Sequence, residues 1–127
     1  MKPYAFSGIV VLGKQLGRTI GFPTANILPD SDHSIPLKFG VYAVEVRVKN
    51  RLYPAMANLG MNPTLDEHHV TLEAHIFDFS EDIYGEVMTV FFYQYVREEM
   101  KFPGLDELKE QIKKDEIRIR KILSDRV

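Results

Sequence analysis

The chain reads as a mainly β protein, a closed six-stranded antiparallel barrel followed by one C-terminal amphipathic helix. Three observations predict it. Six segments before residue 97 carry β-branched and aromatic residues or strict alternation. Loops, with no crossover helix, connect those segments. Helical periodicity begins only after Gly104.

The composition sets the outer limits. With 127 residues and 45% hydrophobic content, the sequence fits a single domain over 1–127: barrel about 4–97, loop 97–104, helix about 105–124. Net charge is −2 and no basic stripe is present, which disfavours a nucleic-acid binder. Any anion site must therefore be local. Cysteine is absent, which excludes disulfides and thiolate metal sites. No apolar leader or membrane-length run occurs, so the expectation is a cytoplasmic protein without a membrane partner.

In chain order, Tyr4 to Leu12 reads as a strand, with Gly8 marking a bulge or close approach. Ala25 to Leu28 is a short strand, and the proline- and aspartate-bearing stretch from Pro29 to Lys38 is a loop. Phe39 to Lys49 alternates, with Val41, Ala43, Glu45 and Arg47 on one face and Tyr42, Val44, Val46 and Val48 on the other. That pattern predicts a half-buried strand. A tight turn at Asn50 and Arg51 leads into Leu52 to Leu59, and a polar loop from Gly60 to His68 leads to the strand His69 to Phe79. Glu86 to Val96 is the last strand. Leu105, Leu108, Ile112, Ile119, Ile122 and Leu123 then form the apolar stripe of a helix. Asp106 and Glu107 fall in its first turn and Arg118, Arg120 and Lys121 in its last, as the macrodipole favours. Its charged face reads as solvated.

Chemistry concentrates first in residues 13 to 29. Gly13, Gly17 and Gly21 free the backbone to approach an anion, and Lys14 and Arg18 bring charge. Pro23 stiffens the following segment so that Thr24 and Asn26 face the same way. A hydroxyl and an amide oxygen on one face suit Mg²⁺ whose charge is mostly balanced by phosphates. The stretch lacks the Walker A pattern, and on spacing alone a glycine-rich turn between strands is the commoner reading.

A second feature is Glu73, which shares a strand face with His75 and Phe77. It is either a base held near a substrate hydroxyl or a solvent-facing carboxylate. His75 has no second histidine at ligand spacing, and His68 and His69 point apart, so a structural hydrogen bond is expected of His75. The third feature, Tyr95 to Gly104, mixes aromatic, thioether and guanidinium groups. It could line a slot for a flat ligand or simply staple the helix entry.

Together these motifs resemble riboflavin kinase. Gly8-x-Val-x-x-Gly13, Gly17-Arg-x-x-Gly-x-Pro-Thr-Ala-Asn26, Gly40-Val-Tyr-Ala-Val44, Ala57-Asn-Leu-Gly60 and Asn62-Pro-Thr64 are followed in order by Glu73-x-His-Ile-x-Asp-Phe79, Asp82-x-Tyr-Gly85 and Arg97-x-Glu-x-Lys-Phe102. They span nearly the whole chain. Lys2-Pro3-Tyr4 is similar to the junction ahead of the C-terminal kinase module of bacterial bifunctional riboflavin kinase and FAD synthetase proteins. The FAD synthetase domain is absent from this sequence, which reads as an excised module or a stand-alone kinase.

The resemblance implies a Greek-key barrel that transfers the γ-phosphate of ATP to the 5′-hydroxyl of riboflavin, giving FMN and ADP. It implies that Thr24 and Asn26 hold Mg²⁺ and phosphate, and that Glu73 is the catalytic base. Gly13 and Arg18 fall on nucleotide-loop positions; Ile76, Asp78 and Tyr84 would border the nucleotide; and Arg97, Met100 and Phe102 would contact the flavin. The loop between Gly13 and Gly21 is one residue shorter than in eukaryotic relatives, with Arg18 where they carry lysine, and Ala74 replaces a valine frequent in bacterial members. A barrel that binds flavin or nucleotide without turnover is the alternative.

Overall fold

A computed structural model describes residues 4–11, 25–29, 35–63 and 68–125. Among these, six strands close into a barrel: β1 (Tyr4–Val11), β2 (Ala25–Pro29), β3 (Gly40–Val48), β4 (Arg51–Pro63), β5 (His68–Ile76) and β6 (Val87–Arg97). One helix, α1 (Leu105–Asp125), follows. Around the barrel the order is β1-β2-β5-β4-β3-β6, all neighbours antiparallel. Strands β3, β4 and β5 are consecutive neighbours, whereas β2 lies beside β5 instead of β3, which is Greek-key topology.

Among the described residues the interior is built from apolar side chains and Tyr42, whose hydroxyl donates to the Lys38 carbonyl at 2.6 Å. Val10, Ile27, Val44, Leu59, Leu72 and Val90 pack in one buried cluster, one face of every strand contributing. Each such side chain contributes about 1.5–3 kcal/mol on burial. A second cluster lies outside the barrel, where Ile112, Ile119 and Leu123 of α1 cover Val41 and Ala43 of β3, Met56 of β4, Phe77, and Val96 of β6. The predicted half-buried β3 is therefore corrected. Its first half is buried on both faces because the helix lies over it, and exposure returns only near Arg47.

Several boundaries also differ from the sequence reading. The β3–β4 turn is Lys49–Asn50, both with positive φ (52° and 63°), and Arg51 already pairs with Val48. Two such residues give the turn whose twist matches a hairpin. Strand β4 runs on through Gly60 to Pro63 and β5 starts at His68, because the two strands supply each other's ladder partners over Gly60↔Thr71, Met61↔Val70 and Asn62↔His69. Pairing overrides the weak strand propensity of those residues. Strand β5 stops at Ile76, and Asp78 takes φ 55° in the turn beyond it. Alternation would have aimed its carboxylate into the barrel; its side chain is instead 85% exposed and meets Arg120 at 2.9 Å. Finally, α1 extends to Asp125, so Arg118, Arg120 and Lys121 precede its last turn, which holds no cation.

The helix is fastened by a buried ion pair. Arg97 Nε donates to both oxygens of Asp115 (3.0 and 3.1 Å), and its second terminal nitrogen reaches Oδ2 at 2.7 Å. Gln111 adds a bond to Oδ1 at 3.0 Å. The side chains are 16% and 3% exposed, so water screens the pair little. A bulge in β6 makes this geometry possible. Register slips between Val41↔Arg97 and Tyr42↔Tyr95, letting the successive residues Val96 and Arg97 both face the helix. Gly40 sits beside the bulge with φ 147°, and a Cβ there would lie 2.6 Å from both the Arg97 carbonyl oxygen and the Tyr95 ring.

Asp115→Ala should destabilise the fold by about 2–3 kcal/mol, since it strands the guanidinium under the helix. Thermal unfolding followed by circular dichroism should show a midpoint roughly 10 °C lower. A shift within about 1 °C would make the pair no stronger than a surface contact.

Candidate active site

The barrel register collects polar side chains on one outer surface. Asn26 of β2 lies opposite Glu73 of β5, and Glu73 lies opposite Asn58 of β4. Each is flanked by interior residues: Ala25 and Ile27, Leu72 and Ala74, Ala57 and Leu59. Strand alternation therefore turns all three outward. Residues directly opposite in an antiparallel pair have Cβ atoms about 4.5–5.5 Å apart, so the amide, carboxylate and amide form one continuous row. Glu73 and Asn26 are half-buried and Asn58 is exposed. The row continues through Val41 to Arg97, where α1 takes over the surface.

His75, next along the face of Glu73, is buried and meets the Phe77 ring edge-on at 5.5 Å. It borders the helix-covered cluster through its register partner Met56. That position gives Glu73 one greasy flank and leaves the other toward Thr71.

The segment between β6 and α1 rises beside this row. Arg97, at its root, also donates to the Glu98 carbonyl at 2.9 Å, which fixes the first peptide of the segment. Glu99 then lays its carboxylate over Gly60 of β4, in the space a Cβ would occupy. Met100 is exposed and Phe102 half-buried on the same segment. The three predicted flavin-side residues thus lie on one strap, although the guanidinium of Arg97 is already engaged by Asp115.

The predicted nucleotide-side residues are spread differently. Ile76 is buried inside the barrel at the end of β5. Asp78 turns outward and is held by Arg120, whose guanidinium also covers the Phe77 ring at 4.8 Å. Hydrogen bonds to Glu116 and Asp78 raise the pKa of Arg120. Tyr84 is exposed, and its N–H donates to the Asp82 carboxylate at 3.1 Å. Its loop is stitched to β1 by Gly85 N–H to the Val10 carbonyl (2.8 Å) and Val10 N–H to the Glu86 carbonyl (2.9 Å). Both Asp78 and Tyr84 therefore stand at the barrel end where β1 leads into the glycine-rich stretch. Gly13, Arg18 and Thr24 lie outside the described residues, as does Thr64.

Two groups went unassigned in the sequence. Asn58 sits inside Ala57-Asn-Leu-Gly60 with no role attached, and only the register discloses its neighbour. Asp115 occupies an apolar-stripe position between Ile112 and Ile119, a misplaced charge that signals a buried partner.

Comparison with known proteins bears on the family and the fold. The family model described as Flavokinase: Riboflavin kinase matches residues 1–123. The bifunctional riboflavin kinase/FMN adenylyltransferase of Haemophilus influenzae is 50% identical over 115 residues, covering 90% of this chain and 37% of that protein. The chain thus spans little more than a third of such relatives. A riboflavin kinase structure from Trypanosoma brucei superposes with a TM-score of 0.70 at 29% identity, covering 98% of this chain and 82% of the other. A Streptococcus pneumoniae structure described as a macrolide-efflux protein gives a TM-score of 0.87 at 42% identity, covering 93% of this chain and 38% of that one. Among the described residues of this chain, no helix is long and apolar enough to cross a membrane. On the family match and these relatives, the chain belongs to the riboflavin kinase family.

Proposed function

We propose that the chain transfers the γ-phosphate of ATP to the 5′-hydroxyl of riboflavin, with Glu73 as base. The observation that carries this reading is the pairing of Asn26 with Glu73 on the outer face of β2 and β5, which sets a phosphate-side amide against a carboxylate. Phosphoryl transfer asks for positioning and charge stabilisation more than covalent help from the protein. As the O5′–Pγ bond forms and the Pγ–O bond to ADP breaks, the hydroxyl proton passes to Glu73.

Thr24 and Asn26 are the proposed ligands of Mg²⁺. The donor set fits: a threonine hydroxyl and an asparagine amide oxygen are hard, neutral oxygen ligands, and among the described residues no group of three or more His, Cys, Asp or Glu forms a self-sufficient cage. When bound, the ion neutralises charge on the β- and γ-phosphates. Gly13 and Arg18 approach the phosphates in this reading, and Asp78 and Tyr84 border the nucleotide at the barrel end where Ile76 closes β5. Arg97, Met100 and Phe102 border the flavin, with Arg97 acting at the root of the strap. A cytoplasmic setting, where ATP is plentiful, goes with this chemistry, and an FMN adenylyltransferase domain of the kind its relatives are named for is the proposed partner.

An assay with ATP, Mg²⁺ and riboflavin, read as FMN by chromatography, tests the activity and separates it from ligand binding without turnover. Glu73→Gln keeps shape but loses basicity. Its kcat should fall about 10²- to 10⁴-fold while calorimetry shows both ligands binding as before. Near wild-type turnover would make the carboxylate structural. Thr24→Ala and Asn26→Ala should each weaken Mg·ATP binding and cut turnover with the fold intact, whereas unchanged ATP affinity in both would sink the metal assignment. Phe102→Ala should raise the riboflavin KM well above any change in the ATP KM, because the ring loses an apolar contact. Equal effects on the two substrates would remove Phe102 from the flavin wall.

A further inference from the structure

Resting on the kinase reading above, we infer that Asn58 is a specificity-determining residue that hydrogen-bonds the secondary hydroxyls of the acceptor's polyol chain. Phosphate chemistry belongs to the β2 side at Asn26, and the accepted proton goes to Glu73 in the middle strand. The acceptor must then extend away from β2, toward β4. The next side chain on that path is Asn58, about one strand spacing of 4.8 Å beyond Glu73.

The neighbours along β4 narrow the path further. Two residues one way, Met56 belongs to the cluster under α1; two residues the other way, Gly60 is covered by Glu99 of the strap. Asn58 is exposed between them and lies on the crossing from the base to the strap that would carry the flat ring. A polyol hydroxyl both donates and accepts, and a side-chain amide offers two donors and an acceptor that match it. An apolar residue at this point could not tell a polyol tether from an alkyl one. A hydrogen-bonding site rejects the analogue that leaves its polar groups unpaired.

The test compares riboflavin with a flavin bearing a 5-hydroxypentyl chain, which keeps the terminal hydroxyl but lacks the other three. Wild-type and Asn58→Ala proteins are assayed for phosphorylated product with both, and binding of each flavin is followed by fluorescence titration. The exposed position of Asn58 should leave the folded state intact, and circular dichroism checks this. Asn58→Ala should lose about tenfold in kcat/KM with riboflavin, mainly through KM and matched by weaker binding, with little change on the hydroxypentyl flavin or in the ATP KM. Equal loss on both flavins would mean that Asn58 acts through Glu73 or the phosphates, and no loss on either would mean that it touches nothing; each overturns the inference alone. A wild-type protein that binds riboflavin but makes no FMN overturns the kinase reading and this inference with it.

Discussion

The site depends on a short seam. Strand β2 joins β5 over Ala25↔Ala74, Asn26↔Glu73 and Ile27↔Leu72, and that ladder both closes the barrel and brings the two polar residues face to face. Because side-chain period along a strand is two, a slip of one residue would bury Asn26 and expose Ile27. The apolar interior positions on either side forbid that slip. Register is thus enforced by hydrophobic burial inside and expressed as chemistry outside.

A six-stranded barrel of this kind has little interior to offer a ligand. Val44, Val46, Leu59, Met88 and Val90 are almost completely buried there, packed as in any protein core. In the proposed reading substrates lie across the outer surface, which a bare sheet would leave flat and wet. Helix α1 and the strap before it supply relief. The helix covers β3 and β6, the Arg97–Asp115 pair fixes where it sits, and the strap leans back over Gly60. The second tie, Arg120 to Asp78, is exposed and correspondingly weaker.

Much of this was legible in the sequence, and the exceptions share a cause. Alternation in β3 and β5 gave interior and exterior faces directly, and the helical stripe from Leu105 to Leu123 was unambiguous. Signals that act within one element survived. What failed to show were properties that need a partner from far along the chain: burial of Val41 and Ala43 under α1, the extension of β4 past Gly60, and the outward turn of Asp78 toward Arg120. Within the site, Glu73 and Asn26 stood out as a carboxylate in an apolar strand and an amide behind a proline. Asn58 did not, because an exposed asparagine on a strand is unremarked until the register sets it beside Glu73.

The arrangement also separates tasks by element. Residues proposed to meet phosphate come from β2 and the stretch before it, the base from β5, the candidate polyol contact from β4, and the flavin-side groups from the strap after β6. No two adjacent tasks share a strand, yet the register holds Asn26, Glu73 and Asn58 each within one strand spacing of the next. Backbone ladders are stiffer than any single loop, so the distance from amide to carboxylate is set by sheet geometry and the outer parts of the site can move without disturbing it.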